Sequence, residues 1–153
     1  MKSNIDGTII QELLYLAKKD GIQKLVTGAV IMRNNKFLLL ERALGEFMAG
    51  LVELPSGGVN AREEILDALT REVKEETGLK VIKIVSYLGF FDYSSSSGKK
   101  TRQFNFLVKT EPGDIKINST EHCKYYLLNP SDKEFSKLNI SDNIKNILSK
   151  VKK

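Results

Sequence analysis

The sequence predicts an α/β fold in which a β-sheet is sandwiched between helices. Three observations carry that expectation. Helical periodicity marks the beginning, the middle and the end of the chain, and the segments between alternate or run apolar as strands do. Turn residues punctuate them: Arg33-Asn34-Asn35-Lys36, Ser94 to Lys100, and Asn129-Pro130. The length of 153 residues is that of one domain, enough to form a core without disulfides or a structural metal.

Residues 6–20 read as a helix within an N-terminal segment 1–21, with Ile9, Leu13, Leu16 and Ala17 along one face and Gly21 as its stop. Residues 25–32 and 37–41 are strands. Residues 43–60 are loop-rich and end in Leu54-Pro55-Ser56-Gly57-Gly58. Residues 62–77 form a strong helix ended by Gly78, the residue best suited to a left-handed cap. Residues 79–92 are apolar and β-branched, hence strand. In residues 101–110, Phe104, Phe106 and Val108 alternate with Gln103, Asn105 and Leu107, placing the two sets on opposite faces. A short strand at 124–128 and a helix at 141–151, capped by Ser141, complete the chain.

Composition excludes several classes. A single cysteine, Cys123, and a single histidine, His122, exclude an internal disulfide framework, a cysteine-rich zinc site and a two-histidine metal pair. No apolar run approaches the ~18 residues of a membrane span. Gln11 and Glu12 interrupt the N-terminal apolar residues, so no signal-peptide core is expected and a cytoplasmic protein is. The net charge of +5 owes much to Lys145, Lys150, Lys152 and Lys153, which reads as a solvated helix end as readily as a surface for a polyanion.

The segment Gly57 to Leu79 carries the chemistry. On a helix, with Glu72 at zero, Glu76 lies at about +40° and Glu75 at about −60°. Three carboxylates thus share one arc, bordered by Leu66, Leu69 and Val73, which should face the core. Like charges at these spacings repel, more so where partly desolvated. Arg71 can pair with Glu75, but one arginine cannot neutralise three glutamates. A hard divalent cation can, and Mg²⁺ favours oxygen ligands while keeping waters for a phosphate substrate. A solvated acidic helix face is the alternative.

The full spacing decides between them. Gly57, five residues, Glu63, seven residues, then Arg71-Glu72-Val73-Lys74-Glu75-Glu76-Thr77-Gly78-Leu79 resembles the Nudix box, G-x5-E-x7-R-E-U-x-E-E-x-G-U with U bulky and aliphatic. A chance match in such a chain is on the order of 10⁻⁷. The strand order and Glu53-Leu54-Pro55 are also similar to Nudix hydrolases, so the resemblance covers most of residues 1–153, read as one Nudix domain with its box at 57–79.

The resemblance implies an α/β/α sandwich with a mixed β-sheet that hydrolyses a nucleoside diphosphate linked to some group X. It implies that Glu72, Glu75 and Glu76 hold Mg²⁺, or Mn²⁺ in its place, and that Glu63 and Arg71 orient those carboxylates. The backbone carbonyl before the first box glycine, here Ser56, is a further ligand in relatives. Ser56 replaces a more usual glycine, so the loop departs from the family pattern. Glu121, in a later loop, resembles a fourth carboxylate that acts as ligand or general base. Arg42 stands where relatives direct an arginine at substrate phosphates; a salt bridge with Glu41 or Glu46 is the other reading. Asn139 stands where some relatives read a base.

Lys99, Lys100 and Arg102 form a basic cluster that either contacts substrate phosphates or merely flanks a hairpin turn. Phe47, Phe90, Phe91, Tyr93 and Tyr125 are stacking candidates. His122 reads as a solvent-exposed loop residue and Cys123 as packed. The expected substrate is a small (deoxy)nucleoside triphosphate, cleaved to the monophosphate and pyrophosphate. Nucleotide sugars, dinucleoside polyphosphates and capped RNA remain alternatives, as does a non-catalytic nucleotide- or RNA-binding module. No membrane or stable nucleic-acid partner is expected, and the chain should be a monomer or homodimer.

Overall fold

The computed structural model describes residues 1–152; Lys153, counted above in the basic C-terminus, lies outside them. The elements in chain order are β1 (Lys2–Ser3), α1 (Gly7–Lys19), β2 (Lys24–Arg33), β3 (Lys36–Arg42), β4 (Val52–Glu53), β5 (Ser56–Gly58), α2 (Ile65–Thr77), β6 (Val81–Ser94), β7 (Lys100–Thr110), β8 (His122–Leu128), a 3₁₀ turn (Phe135–Lys137) and α3 (Asp142–Ser149). The sheet runs β1-β6-β7-β2-β3-β4, with β5 also on β2 and β8 also on β3. It is mixed. β2 runs parallel to β7, from Lys24 opposite Thr101 to Ile31 opposite Val108, whereas β6 and β7 are antiparallel.

Period-two burial makes the sandwich. Ala29, Ile31, Leu38, Leu40, Phe104 and Phe106 face one core with Ala17 of α1 and Ile65, Leu69 and Val73 of α2. Val30, Phe37 and Leu39 face the other, with Phe135 of the 3₁₀ turn and Ile144, Ile147 and Leu148 of α3. The expected alternation of β7 holds, Phe104, Phe106 and Val108 lying in the first core.

Caps set the helices. The Asp6 carboxylate accepts from the Thr8 N–H at 2.9 Å, and the Ser141 hydroxyl from the Ile144 N–H at 3.2 Å. Gly78 ends α2 at φ 74°, the left-handed conformation expected of it. Two expectations shift. The buried face of α1 is Ile10, Leu13 and Ala17, whereas Ile9 and Leu16 are exposed. And α2 begins at Ile65 rather than 62, because Arg62 itself adopts φ 66° and no helix passes through such a residue.

One feature of the sheet makes room for a site. β2 and β3 pair only beside their turn, at Met32 with Phe37 and Arg33 with Lys36. Beyond it they part. β5 then occupies the β2 edge, Val26, Thr27 and Gly28 pairing with Gly58, Gly57 and Ser56. β8 lies along β3.

Candidate active site

α2 crosses from core to solvent over its acidic arc, so the carboxylates differ in burial. Glu76 is buried, Glu72 half-buried and Glu75 exposed. Arg71 is the hub on the outer side. Its Nε donates to Glu63 at 2.8 Å and Nη2 to the other oxygen of Glu63 at 2.9 Å. Nη2 also donates to the Gly58 carbonyl at 2.9 Å, and Nη1 to Glu72 at 2.7 Å and Glu75 at 3.2 Å. The Asn60 N–H adds a bond to Glu63 at 3.0 Å. The two-pronged arginine contact, then that backbone bond, hold the Glu63 carboxyl down at about 2.

Arg71 reaches neither Glu76 nor Glu121. Among the described residues Glu76 accepts one backbone bond, from the Ser56 N–H at 2.8 Å, and shares a side-chain hydrogen bond with Glu121. Burial pushes its carboxyl up to about 9, and the charges of Glu53 and Glu72 add to the push. Burial likewise raises the Glu72 carboxyl, against the pull of Arg71. Ser56 therefore meets this group through its N–H. Gly57 is dictated by the same packing: a Cβ there would overlap the Glu72 carboxylate.

β8 and β4 complete the group. Arg42 pairs with His122, and Leu40 with Glu53, in the registers of β3 with its two neighbours. His122 is 1% exposed, not the solvent-facing loop residue expected. Its Nε2 lies 2.9 Å from Glu53, which also accepts from Arg42 Nη1 at 3.0 Å. Its Nδ1 is buried with no partner among the described residues. Oxygen or nitrogen atoms of Glu76, Glu121 and His122 lie within 4.8 Å of one another. A buried carboxyl with two further ligand groups beside it, and no ion-pairing arginine or lysine at Glu76 or Glu121 among the described residues, fit a divalent cation.

Beside this group, between the parted strands and the start of α3, opens a cleft of about 360 Å³. Arg42, Ser56 to Gly58, Gln103, Phe91 and Tyr93 are among its lining residues. Arg42 faces the cleft, but it also ion-pairs with Glu53 at 3.0 Å and Glu46 at 3.7 Å. Arg102 is not brought here. An even-numbered position on β7 points it to the α1 side, where it is buried between Asp92 at 2.8 Å and Asp20 at 3.0 Å and lies 4.1 Å from the Phe90 ring. Lys99 is an exposed turn residue outside the cleft lining, and so is Asn139, whose carbonyl accepts from the Val52 N–H at 2.8 Å. The cleft instead presents Lys24 and Asn143. Of the stacking candidates it takes Phe47, Phe91 and Tyr93 but not Phe90 or Tyr125. Cys123 is exposed rather than packed, its Sγ 3.3 Å from Glu41.

Mixed sheet, helix layers and acidic group together define an α/β scaffold of the Nudix kind. Residues 23–145 match the NUDIX domain family, and the chain belongs to that family, whose members generally use divalent cations. It is 42% identical over 105 residues to an ADP-ribose pyrophosphatase of Methanocaldococcus jannaschii, a stretch that is 65% of this chain and 59% of that protein. The chain spans less than two thirds of the curated relatives it matches first. Among solved structures it is similar to a MutT protein from Methanosarcina mazei Go1, with TM-score 0.72 and 25% identity over 82% of this chain and 90% of that one. A MutT NUDIX hydrolase from Burkholderia pseudomallei, at 22% identity, shares the fold with TM-score 0.72 over 84% and 98%. No helix among the described residues is long and apolar enough to cross a membrane.

Proposed function

We propose that the chain is a pyrophosphohydrolase acting on a nucleoside diphosphate linked to X, with a small (deoxy)nucleoside triphosphate as substrate and the monophosphate and pyrophosphate as products. One observation carries the reading: the buried Glu76, with Glu121 and His122 beside it, is tied through the Ser56 N–H, and His122 through Glu53, to the wall of a cleft lined by both aromatic and basic side chains. The volume supports a small substrate. About 360 Å³ is at the low end of the ~300–1,000 Å³ usual for small-molecule sites. A purely binding module is disfavoured, since binding alone gives no reason to bury a carboxyl against two others.

Glu72, Glu75 and Glu76 would hold Mg²⁺, or Mn²⁺ in its place, Glu75 from the exposed margin, with Glu121 beside Glu76 as the general base. When bound, the cation neutralises phosphate oxygens and makes water more acidic. The protein's own groups do the rest. Glu121 takes a proton from the attacking water. Arg71 fixes Glu63, Glu72 and Glu75 so that their carboxylates do not rearrange. Arg42, on the cleft wall, donates to a substrate phosphate from the N–H groups of Nη1 and Nη2 beyond those that meet Glu53 and Glu46. Residues 1–153 act as one cytoplasmic Nudix domain, monomeric or dimeric, without a stable nucleic-acid partner.

The test is a panel of nucleoside triphosphates, nucleotide sugars, ADP-ribose, dinucleoside polyphosphates and capped RNA, incubated with Mg²⁺ and assayed for released pyrophosphate or monophosphate. A triphosphate should be cleaved fastest, and excess EDTA should abolish turnover until Mg²⁺ or Mn²⁺ is restored. Faster cleavage of ADP-ribose would transfer the assignment to the substrate named for the archaeal relative. Release from no compound, or full turnover in EDTA, would overturn the hydrolase reading.

A further inference from the structure

Gln103, which lines the cleft, and Asn105, hydrogen-bonded to it, are two buried amides that the chemistry above does not use. Gln103 and Asn105 are 5% and 0% exposed, on the face of β7 opposite Phe104 and Phe106. Amides buried in a sheet are costly unless their polar atoms are satisfied. Here the bonds also have a direction. Asn105 Nδ2 lies 3.1 Å from the Gly89 carbonyl and 3.2 Å from the Gln103 carbonyl. Carbonyls only accept, so that end of Asn105 is its NH₂. Its Oδ1 therefore faces Gln103 and accepts from Nε2 at 2.9 Å. Gln103 is thereby turned so that Oε1, which has no hydrogen-bond partner among the described residues, is left for the cleft that Gln103 lines.

Two further observations agree. A Cβ on Gly28 would stand 2.5 Å from Gln103 Nε2 and 2.7 Å from Asn105 Oδ1, so β2 is bare where the amides lie against it. Gln103 pairs with Val26, which pairs with Gly58. Its backbone thus lies two strand spacings, about 10 Å, from that of Gly58, and its amide reaches along the sheet to Gly28, which pairs with Ser56. The amide and the Ser56 to Gly58 loop therefore share one wall of the cleft.

We propose that Gln103 selects the base, its Oε1 accepting from an exocyclic amine, and that Asn105 is the positioning residue that fixes the direction of that amide. The inference rests on the nucleotide-hydrolase reading. The remaining Nε2–H donates to the adjoining ring nitrogen, a two-point pattern that matches adenine, as glutamine does when it reads adenine in DNA. A 6-oxo purine sets a carbonyl against Oε1 and is rejected. Adenine nucleotides are thus the preferred class.

The test compares AMP with IMP by calorimetric titration of the intact protein, and ATP with ITP by kcat/KM. Wild type should favour the adenine member at least about tenfold in both. Gln103→Leu should erase that preference, mainly through KM. Asn105→Leu should keep Gln103 but free its amide to flip, bringing the ratio below about threefold with kcat retained. A merely structural role for either residue would weaken both members alike and leave the ratio unchanged. Equal affinity for AMP and IMP in wild type, binding of neither, or an unchanged ratio in Gln103→Leu overturns the proposal, and needs no measurement on Asn105→Leu should that variant not fold. AMP preference without hydrolysis of any nucleotide sinks the hydrolase reading alone, and hydrolysis without preference sinks this one alone.

Discussion

Glu76 sits where burial and like charge both oppose ionisation, and its carboxyl is pushed up to about 9 from the ordinary 4.5. The folded, cation-free protein thus keeps a proton that the unfolded chain releases above pH 4.5. Its contribution to stability is complete below that pH and is lost as pH rises through about 9. Glu76→Gln cannot ionise. Melted in EDTA across this range, the variant should hold its melting temperature where wild type declines, and its turnover should fall by orders of magnitude; parallel melting curves with normal turnover would make Glu76 a structural residue. Glu121→Gln addresses the proton step. A lost general base costs about 10²-fold or more in kcat, with KM little changed, and a kcat within threefold of wild type would return Glu121 to the surface. The box carboxylates were legible because helical spacing alone converges Glu72, Glu75 and Glu76. Glu53 and His122 were not, since 69 residues separate them and only the registers of β4 and β8 on β3 bring them within 2.9 Å. Arg102 misled for the converse reason: nearness in sequence to Lys99 says nothing about which face of β7 it occupies.

At the scale of elements, the contact of β5 with α2 is the tightest link between loop and helix. Gly57 passes so close to Glu72 that a methyl group would overlap its carboxylate. Gly57→Ala should therefore displace Glu72 from Arg71, lower stability by about 1–3 kcal/mol as overpacking does, and reduce kcat/KM at least tenfold. Thermal melting read beside kinetics checks this, and an active variant of unchanged melting temperature would show that the loop yields without loss. The long elements followed from periodicity and caps. β1, β4 and β5 did not, because strands of two or three residues carry no period to read. The face of α1 slipped because Ile9, Ile10, Leu13, Leu16 and Ala17 support two apolar stripes, and only packing against the sheet chooses Ile10 and Leu13.

For the molecule as a whole, a sheet between two cores accommodates an open cleft because β2 and β3 part after two pairs of residues. Sequence patterning located both strands and their turn, but strand separation is a tertiary property with no local signature. The parallel pairing of β2 with β7 has another consequence, which concerns time. Lys24 meets Thr101 and Ile31 meets Val108, so the pairing closes a loop of almost half the chain, a slow kind of contact. α2 is local and can form early, whereas β5 is held to β2, and His122 and Glu121 arrive with β8. Until those strands dock, the acidic residues are scattered, and a divalent cation has no assembled place to bind. Mg²⁺ should then slow unfolding in proportion to its occupancy while leaving the refolding rate unchanged, as for any interaction absent from the transition state. Stopped-flow refolding and unfolding with and without Mg²⁺ measures both limbs; accelerated refolding would mean that the cation gathers its ligands before the central strands have paired.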